Sequence, residues 1–231
     1  MYVWDIPRYS PAEAGRLTAL RPERVRRWLR GYSYSYVSPA DKDPTLVHQR
    51  PVIKQRDAKD SGYASFLDLV DLLFVKQFLA TGFSLQRIRK SLAEAESIIG
   101  GHHFAQRVYF TDGHEIYVRV KDQSTDNLLQ LLSGGQWVIS DVILDMARQV
   151  DFDQETGFAE KWFPAGRQAG IVVDPRICFG APTITGRGVR TSNVYDLFVA
   201  EREDAKVVSK WMNLQEREVE SAVRFERALA A

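Results

Sequence analysis

Arg24, Arg26, Arg27 and Arg30 fall within LRPERVRRWLRGY, residues 20–32. A guanidinium is always charged and presents its donors in a planar fork, so it pairs bidentately with phosphate or with the O6/N7 edge of guanine. Read as a helix, the stretch sets Val25, Trp28 and Leu29 at i, i+3 and i+4 and leaves Glu23, Arg26, Arg27 and Arg30 on the opposite face. One face packs and the other meets a polyanion. Residues 1–32 hold seven arginines (8, 16, 21, 24, 26, 27, 30) against Asp5, Glu13 and Glu23, an excess of four positive charges that favours a phosphate backbone. An arginine-rich outer face is also what a merely solvated helix shows, so the neighbouring elements must decide.

Directly after this stretch Tyr32, Tyr34 and Tyr36 alternate with serines, and Lys42, His48, Arg50, Lys54 and Arg56 follow. On a two-stranded wing these side chains could track phosphates along an adjacent groove, with Tyr32 and Tyr34 as the DNA contacts. The same alternation also suits a half-buried strand that covers the helices. Asp112, His114 and Glu115 cluster around an Asp-Gly turn, but no nucleophile or second carboxylate pair stands beside them, so no catalytic residue and no enzyme is expected. Cys178 is the sole cysteine, and His48, His102, His103 and His114 lack ligand spacing, so neither a metal nor a cofactor is expected. With 45% hydrophobic residues over 231 positions the chain can fill one large or two to three small cores. No apolar run of about 18 residues occurs, and MYVWDIPRYS has neither a basic leader nor an apolar core, which predicts a cytoplasmic protein without a membrane span. The overall charge of +1 decides nothing.

The elements that must position the arginines are readable on both sides. Pro22 suits the first helical position and Gly31 the left-handed stop. Upstream, Ser10, Pro11 and Glu13 have the spacing of a capping box opening a helix over residues 10–20, with Thr18 to Arg21 as the turn between the two helices. Downstream, residues 32–36 and 46–53 read as the strands of a wing, the second interrupted by Pro51. FLDLVDLLFVKQFLATGFSLQRIRKSLAEAE, residues 66–96, places Leu67, Val70, Leu73, Phe74 and Leu79 in helical period, breaks at Gly82, and reopens at Ser84 with Leu85, Ile88 and Leu92. On these motifs residues 9–97 resemble the winged helix-turn-helix DNA-binding domain of MerR-type regulators. The pattern departs from that family at IIGGHH, residues 98–103, where those regulators continue into a long dimerising helix.

Residues 104–165 read as a small α+β segment: a hairpin about Asp112-Gly113, a short apolar helix over Asn127 to Leu132, a strand over Gln136 to Ile139, a helix capped by Ser140 and a hairpin about Thr156-Gly157. After Pro164, Gly166 and Gly170 a third unit begins. VVDPRICFGAPTITG reads as strand and hairpin, Thr191 opens one helix and Asp204 the next, and Gln215 is a weak cap for the last. Val194, Leu197 and Phe198, then Val207, Val208 and Trp211, then Val219, Ala222, Val223 and Leu229 form inward stripes. Residues 171–231 resemble a small helix-turn-helix domain of bacterial antitoxin-like proteins, long known only as a domain of unknown function.

The reading is therefore α+β with three units: 1–99 a MerR-like winged helix-turn-helix, 100–166 a small α+β domain, and 171–231 a three-helix antitoxin-like domain with a β-hairpin. In this order the units resemble the large antitoxins of VapBC-type toxin–antitoxin systems. That resemblance implies a PIN-domain ribonuclease toxin and operator DNA as partners, a homodimer or a larger hetero-oligomer with toxin, and repression of the protein's own operon. Arg187 and Arg190 are the candidates for contacting the toxin, since a guanidinium can pair with the clustered carboxylates of a nuclease metal site. A stand-alone regulator sensing a small molecule in the middle segment is the alternative. Because the arginine helix and its supports end by about residue 97, a fragment beginning near residue 100 is expected to fold alone.

Overall fold

Ser10 opens the first helix as its capping-box spacing requires: its hydroxyl accepts from the Glu13 amide, and the Glu13 carboxylate accepts from the Ser10 amide. The computed structural model describes residues 2–37, 43–53, 62–90, 92, 105, 109–111, 116–119, 128–130 and 141–230. Helix α1 spans Pro11–Thr18 and helix α2 spans Pro22–Arg30, joined through Ala19 in the left-handed conformation. Strands β1 (Tyr32–Tyr36) and β2 (Thr45–Gln49) follow as an antiparallel ribbon, with Tyr32 opposite Gln49 and Tyr36 opposite Thr45. Helix α3 (Phe66–Ala80) carries the same cap chemistry through Ser65 and Asp68, and a further helix, α4, runs over 85–90. Phe66, Leu67, Leu69, Val70, Leu72, Phe74, Val75 and Phe78 are all buried, so α3 is wrapped on nearly every side. It is the axis on which the arginine helix rests.

Beyond α3, strands β3 (Tyr109–Thr111), β4 (Ile116–Arg119) and β5 (Leu128–Gln130) form an antiparallel meander in the order β3-β4-β5. Leu128–Gln130 is thus a strand paired with β4, where the sequence predicts a short helix. Ladder bonds to a neighbouring strand outweigh local apolar patterning in so short a run. Helix α5 covers Asp141–Arg148, and β6 (Val150–Phe152) pairs with β7 (Ala159–Trp162) across the predicted turn at Thr156-Gly157. Asp112, Gly113, His114, Glu115, the expected strand at 136–139 and the Ser140 cap lie outside the described residues.

Strands β8 (Ile171–Val172) and β9 (Thr183–Ile184) then lead into α6 (Thr191–Ala200), α7 (Ala205–Met212) and α8 (Glu216–Ala230). Asp204 caps α7 by accepting from the Lys206 and Val207 amides. Gln215 supplies no hydroxyl for α8, but Glu218 performs the reciprocal half of a capping box by accepting from the Gln215 amide at 2.7 Å. Trp211 is 71% exposed, not inward. The inner face of α7 is set by Ala205, Val208 and Met212, and at 100° per residue Trp211 stands roughly 100° round the helix from their centre.

One hydrophobic cluster unites α1, α2, α3 and α4 with Val150, Phe158, Ala159, Trp162, Ile171, Val173 and Phe225. A second contains Ile184, Val194, Phe198, Val208, Leu214, Val219, Ala222 and Val223. Helix α8 therefore serves both: Val219, Ala222 and Val223 face the second cluster, while Phe225 and Leu229 pack on the first. Leu229 thereby leaves the stripe the sequence assigns it. Hydrogen bonds also cross between the units, Trp162 exchanging amide and carbonyl with Val173 and the Ala105 amide donating to the buried Asp71 carboxylate at 2.7 Å.

Candidate nucleic-acid interface

On α2 the periodicity is realised side chain by side chain. Val25, Trp28 and Leu29 are buried, while Arg24, Arg26, Arg27 and Arg30 are exposed. The Trp28 carbonyl accepts from both the Val52 amide (2.8 Å) and the Ile53 amide (3.0 Å). This anchors the return from the ribbon beneath the helix. Val52 and Ile53 are buried there, so the extended run predicted over 46–53 ends its strand at Gln49 and turns inward. Gly31 makes the junction possible: its φ is +74°, and a Cβ there would strike the Gln49 carbonyl.

All five residues of β1 are exposed. The tyrosines therefore do not cover the helix pair: among the described residues β1 and β2 pair with each other alone, and no residue of either belongs to the core clusters. Tyr32, Tyr34 and Tyr36 share one ribbon face, opposite Gln49, Val47 and Thr45. The guanidinium of Arg27 lies 4.9 Å from the centre of the Tyr32 ring, and Tyr32 and Tyr34 are 5.9 Å apart. Helix and ribbon thus present one continuous surface of cation and aromatic rings. Arg24 lies 6.0 Å over the Trp28 ring, and Arg26 reaches Glu23 at 3.6 Å in a pair exposed on both sides, too weak to withhold the arginine from another anion. On the reverse face the Ser33 hydroxyl and His48 Nδ1 are hydrogen-bonded at 2.6 Å, and Arg50 is exposed at the ribbon's exit. Lys42, Lys54 and Arg56 lie outside the described residues.

Residues 7–92 match a family described as "Putative DNA-binding HTH domain". Residues 171–225 match a second, described as "Protein of unknown function (DUF433)". The chain is 27% identical over 201 residues to "Putative antitoxin VapB45" of Mycobacterium tuberculosis, covering 83% of this chain and 82% of that protein. Its fold is similar to the crystal structure of Rv2018 from Mycobacterium tuberculosis, with a TM-score of 0.65 at 20% identity, over 95% of this chain and 99% of that one.

Arg187 and Arg190 are placed away from α2. Arg187 Nε pairs with Glu218 at 3.1 Å, and half-buried Arg190 donates to the Cys178 carbonyl at 3.2 Å. Among the described residues no group of three or more His, Cys, Asp or Glu side chains could hold a metal ion, and no helix is long and apolar enough to cross a membrane.

Sequence reasoning missed one link behind this surface. Arg8 donates to the Pro175 carbonyl at 2.7 Å and to the Val3 carbonyl at 2.8 Å, and the buried Tyr9 hydroxyl donates to the Gly180 carbonyl at 2.8 Å. Gly180 has φ +77°, and a Cβ there would overlap the Tyr9 hydroxyl. Burial pushes the Tyr9 phenol well above its ordinary range, so it stays a donor. These contacts join residues about 170 positions apart, and no periodicity signals them.

Proposed function

We propose that the protein is an antitoxin that binds and silences a cognate PIN-domain ribonuclease and represses its own operon through a MerR-like winged head. The observation that carries the DNA half is the exposed arginine face of α2 running on into the tyrosine face of the ribbon. In this reading α2 enters the major groove with Arg26, Arg27 and Arg30, Arg24 stands at its edge, and Tyr32 and Tyr34 follow the flanking backbone. The resemblance to a VapB-type antitoxin over most of both chains supports the toxin half. That half is carried mainly by the small α+β unit, 100–166, and the C-terminal unit, 171–231, together. Arg187 is the stronger hairpin candidate: it is exposed, and beyond the Nε bonded to Glu218 it has further donors for a nuclease carboxylate. Arg190 is committed to Cys178 and is the weaker one.

The test is binding to the protein's own promoter by fluorescence anisotropy across a salt series. Each arginine that contacts only phosphate should flatten the log–log salt slope by about one unit when removed, and one that reads guanine should cost roughly 1–3 kcal/mol at one base position. The variant Arg26→Ala/Arg27→Ala/Arg30→Ala should stay folded, since all three side chains are exposed. Promoter affinity equal to the parent's would refute the assignment. Finding a PIN-domain nuclease reading frame beside this one, and co-purifying its product with the protein, tests the other half.

A further inference from the structure

A groove of about 900 Å³ opens between the end of α1, the loop 164–170 and helix α8. Leu17, Phe225 and Leu229 line it with apolar surface, and Arg16, Arg217 and Arg224 bring three guanidinium groups to it. All three arginines are exposed, and their guanidinium groups make no hydrogen bond or close ion pair among the described residues. Glu218 also borders the groove, but its carboxylate is already engaged by the Gln215 amide at 2.7 Å and Arg187 at 3.1 Å. Its charge also acts on Arg217, so it offsets part of one arginine and leaves Arg16 and Arg224. The Ser221 hydroxyl donates to the Ala169 carbonyl at 2.6 Å, which holds the loop against α8 and fixes the wall.

We propose that this groove seats an acidic amphipathic segment of the partner nuclease, an inference that rests on the antitoxin function proposed above. The spacing favours an extended ligand. Arg217 and Arg224 are seven residues apart on one helix face, roughly 10.5 Å along the axis, so side chains that stand straight out from the helix offer two separate binding points. A peptide carrying two acidic side chains about that far apart engages both, with Arg16 binding a third from the facing wall. Apolar side chains between the acids fill the space over Leu17, Phe225 and Leu229. A nucleic-acid backbone carries a charge at every step and gains nothing from that apolar floor. The groove takes one segment of an interface whose total must exceed about 1,000 Å².

The test uses the full chain and its proposed cognate PIN-domain ribonuclease, with affinity measured by calorimetry at low and high salt. The variant Arg16→Gln/Arg217→Gln/Arg224→Gln keeps the parent's melting transition and binds the nuclease on the order of tenfold more weakly, with a flatter salt dependence. Ala228→Trp fills the groove from exposed helix surface with every charge intact, and weakens binding as well. If the parent does not bind the nuclease, the antitoxin reading fails and this inference with it. If the parent binds and both variants bind as tightly, the groove assignment alone is overturned. A triple variant that loses promoter affinity while keeping the nuclease overturns it too, and makes the groove a nucleic-acid surface.

Discussion

Trp28 holds two things at once: its ring fills the packing side of α2, and its carbonyl receives the two amides that return from the ribbon. Only 4% of its surface remains exposed, so Trp28→Ala should cost on the order of 3–5 kcal/mol and abolish promoter binding by unfolding the head. Thermal melting beside anisotropy checks this; lost binding with an unchanged melting transition would move Trp28 to the DNA surface instead. Glu218 is the corresponding residue for the C-terminal unit. The Gln215 amide first, and Arg187 after it, hold its carboxyl below the ordinary glutamate value. A depressed carboxyl stabilises the fold fully above its unfolded pKa, and that contribution is lost as the pH falls through the folded value. Glu218→Gln should therefore melt below the parent at neutral pH, with the gap closing in acid. A gap of constant size from pH 7 to 3 would contradict the role assigned to this carboxylate.

At the scale of elements, what was legible in the sequence was what neighbours in the chain decide. Ser10 with Glu13, Pro22, the Val25/Trp28/Leu29 stripe and Asp204 each act within one or two turns, and each stands where its pattern puts it. The failures have non-local causes. Leu128–Gln130 became a strand through its pairing with β4, and Trp211 faces out because α6 and α8 together fix which side of α7 is inner. The candidate surface divides the same way: the arginine face of α2 could be read from spacing, whereas the exposure of the tyrosines depended on the ribbon standing clear of the core. Gly31 joins these two elements, and its positive φ and close approach to the Gln49 carbonyl make it the sharpest probe of their connection. Gly31→Ala should destabilise the head by about 1–3 kcal/mol and weaken promoter binding without touching any contact residue. Urea midpoints measure the first and anisotropy the second; an unchanged midpoint would mean the ribbon leaves α2 by another path.

For the whole molecule, the cluster around α3 matters most, because the boundary read at residue 99 runs through it. Val150, Trp162, Val173 and Phe225 pack in the same cluster as Trp28 and Phe66, and Arg8 and Tyr9 bond to Pro175 and Gly180. A fragment of residues 100–231 would expose those side chains. It should show a broadened or absent melting transition, in contrast to the independent folding that patterning alone predicts. A sharp transition matching the full chain's would mean that the shared cluster contributes little.

Helix α8, packed on both clusters, also bears on how the protein is destroyed. Proteases cut opened chains, and here the last helix cannot be pulled away without uncovering the first cluster through Phe225 and Leu229. A protease that opens α8 is therefore expected to loosen the first cluster as well and to make the N-terminal helices cleavable with it, which limited proteolysis followed by mass spectrometry checks.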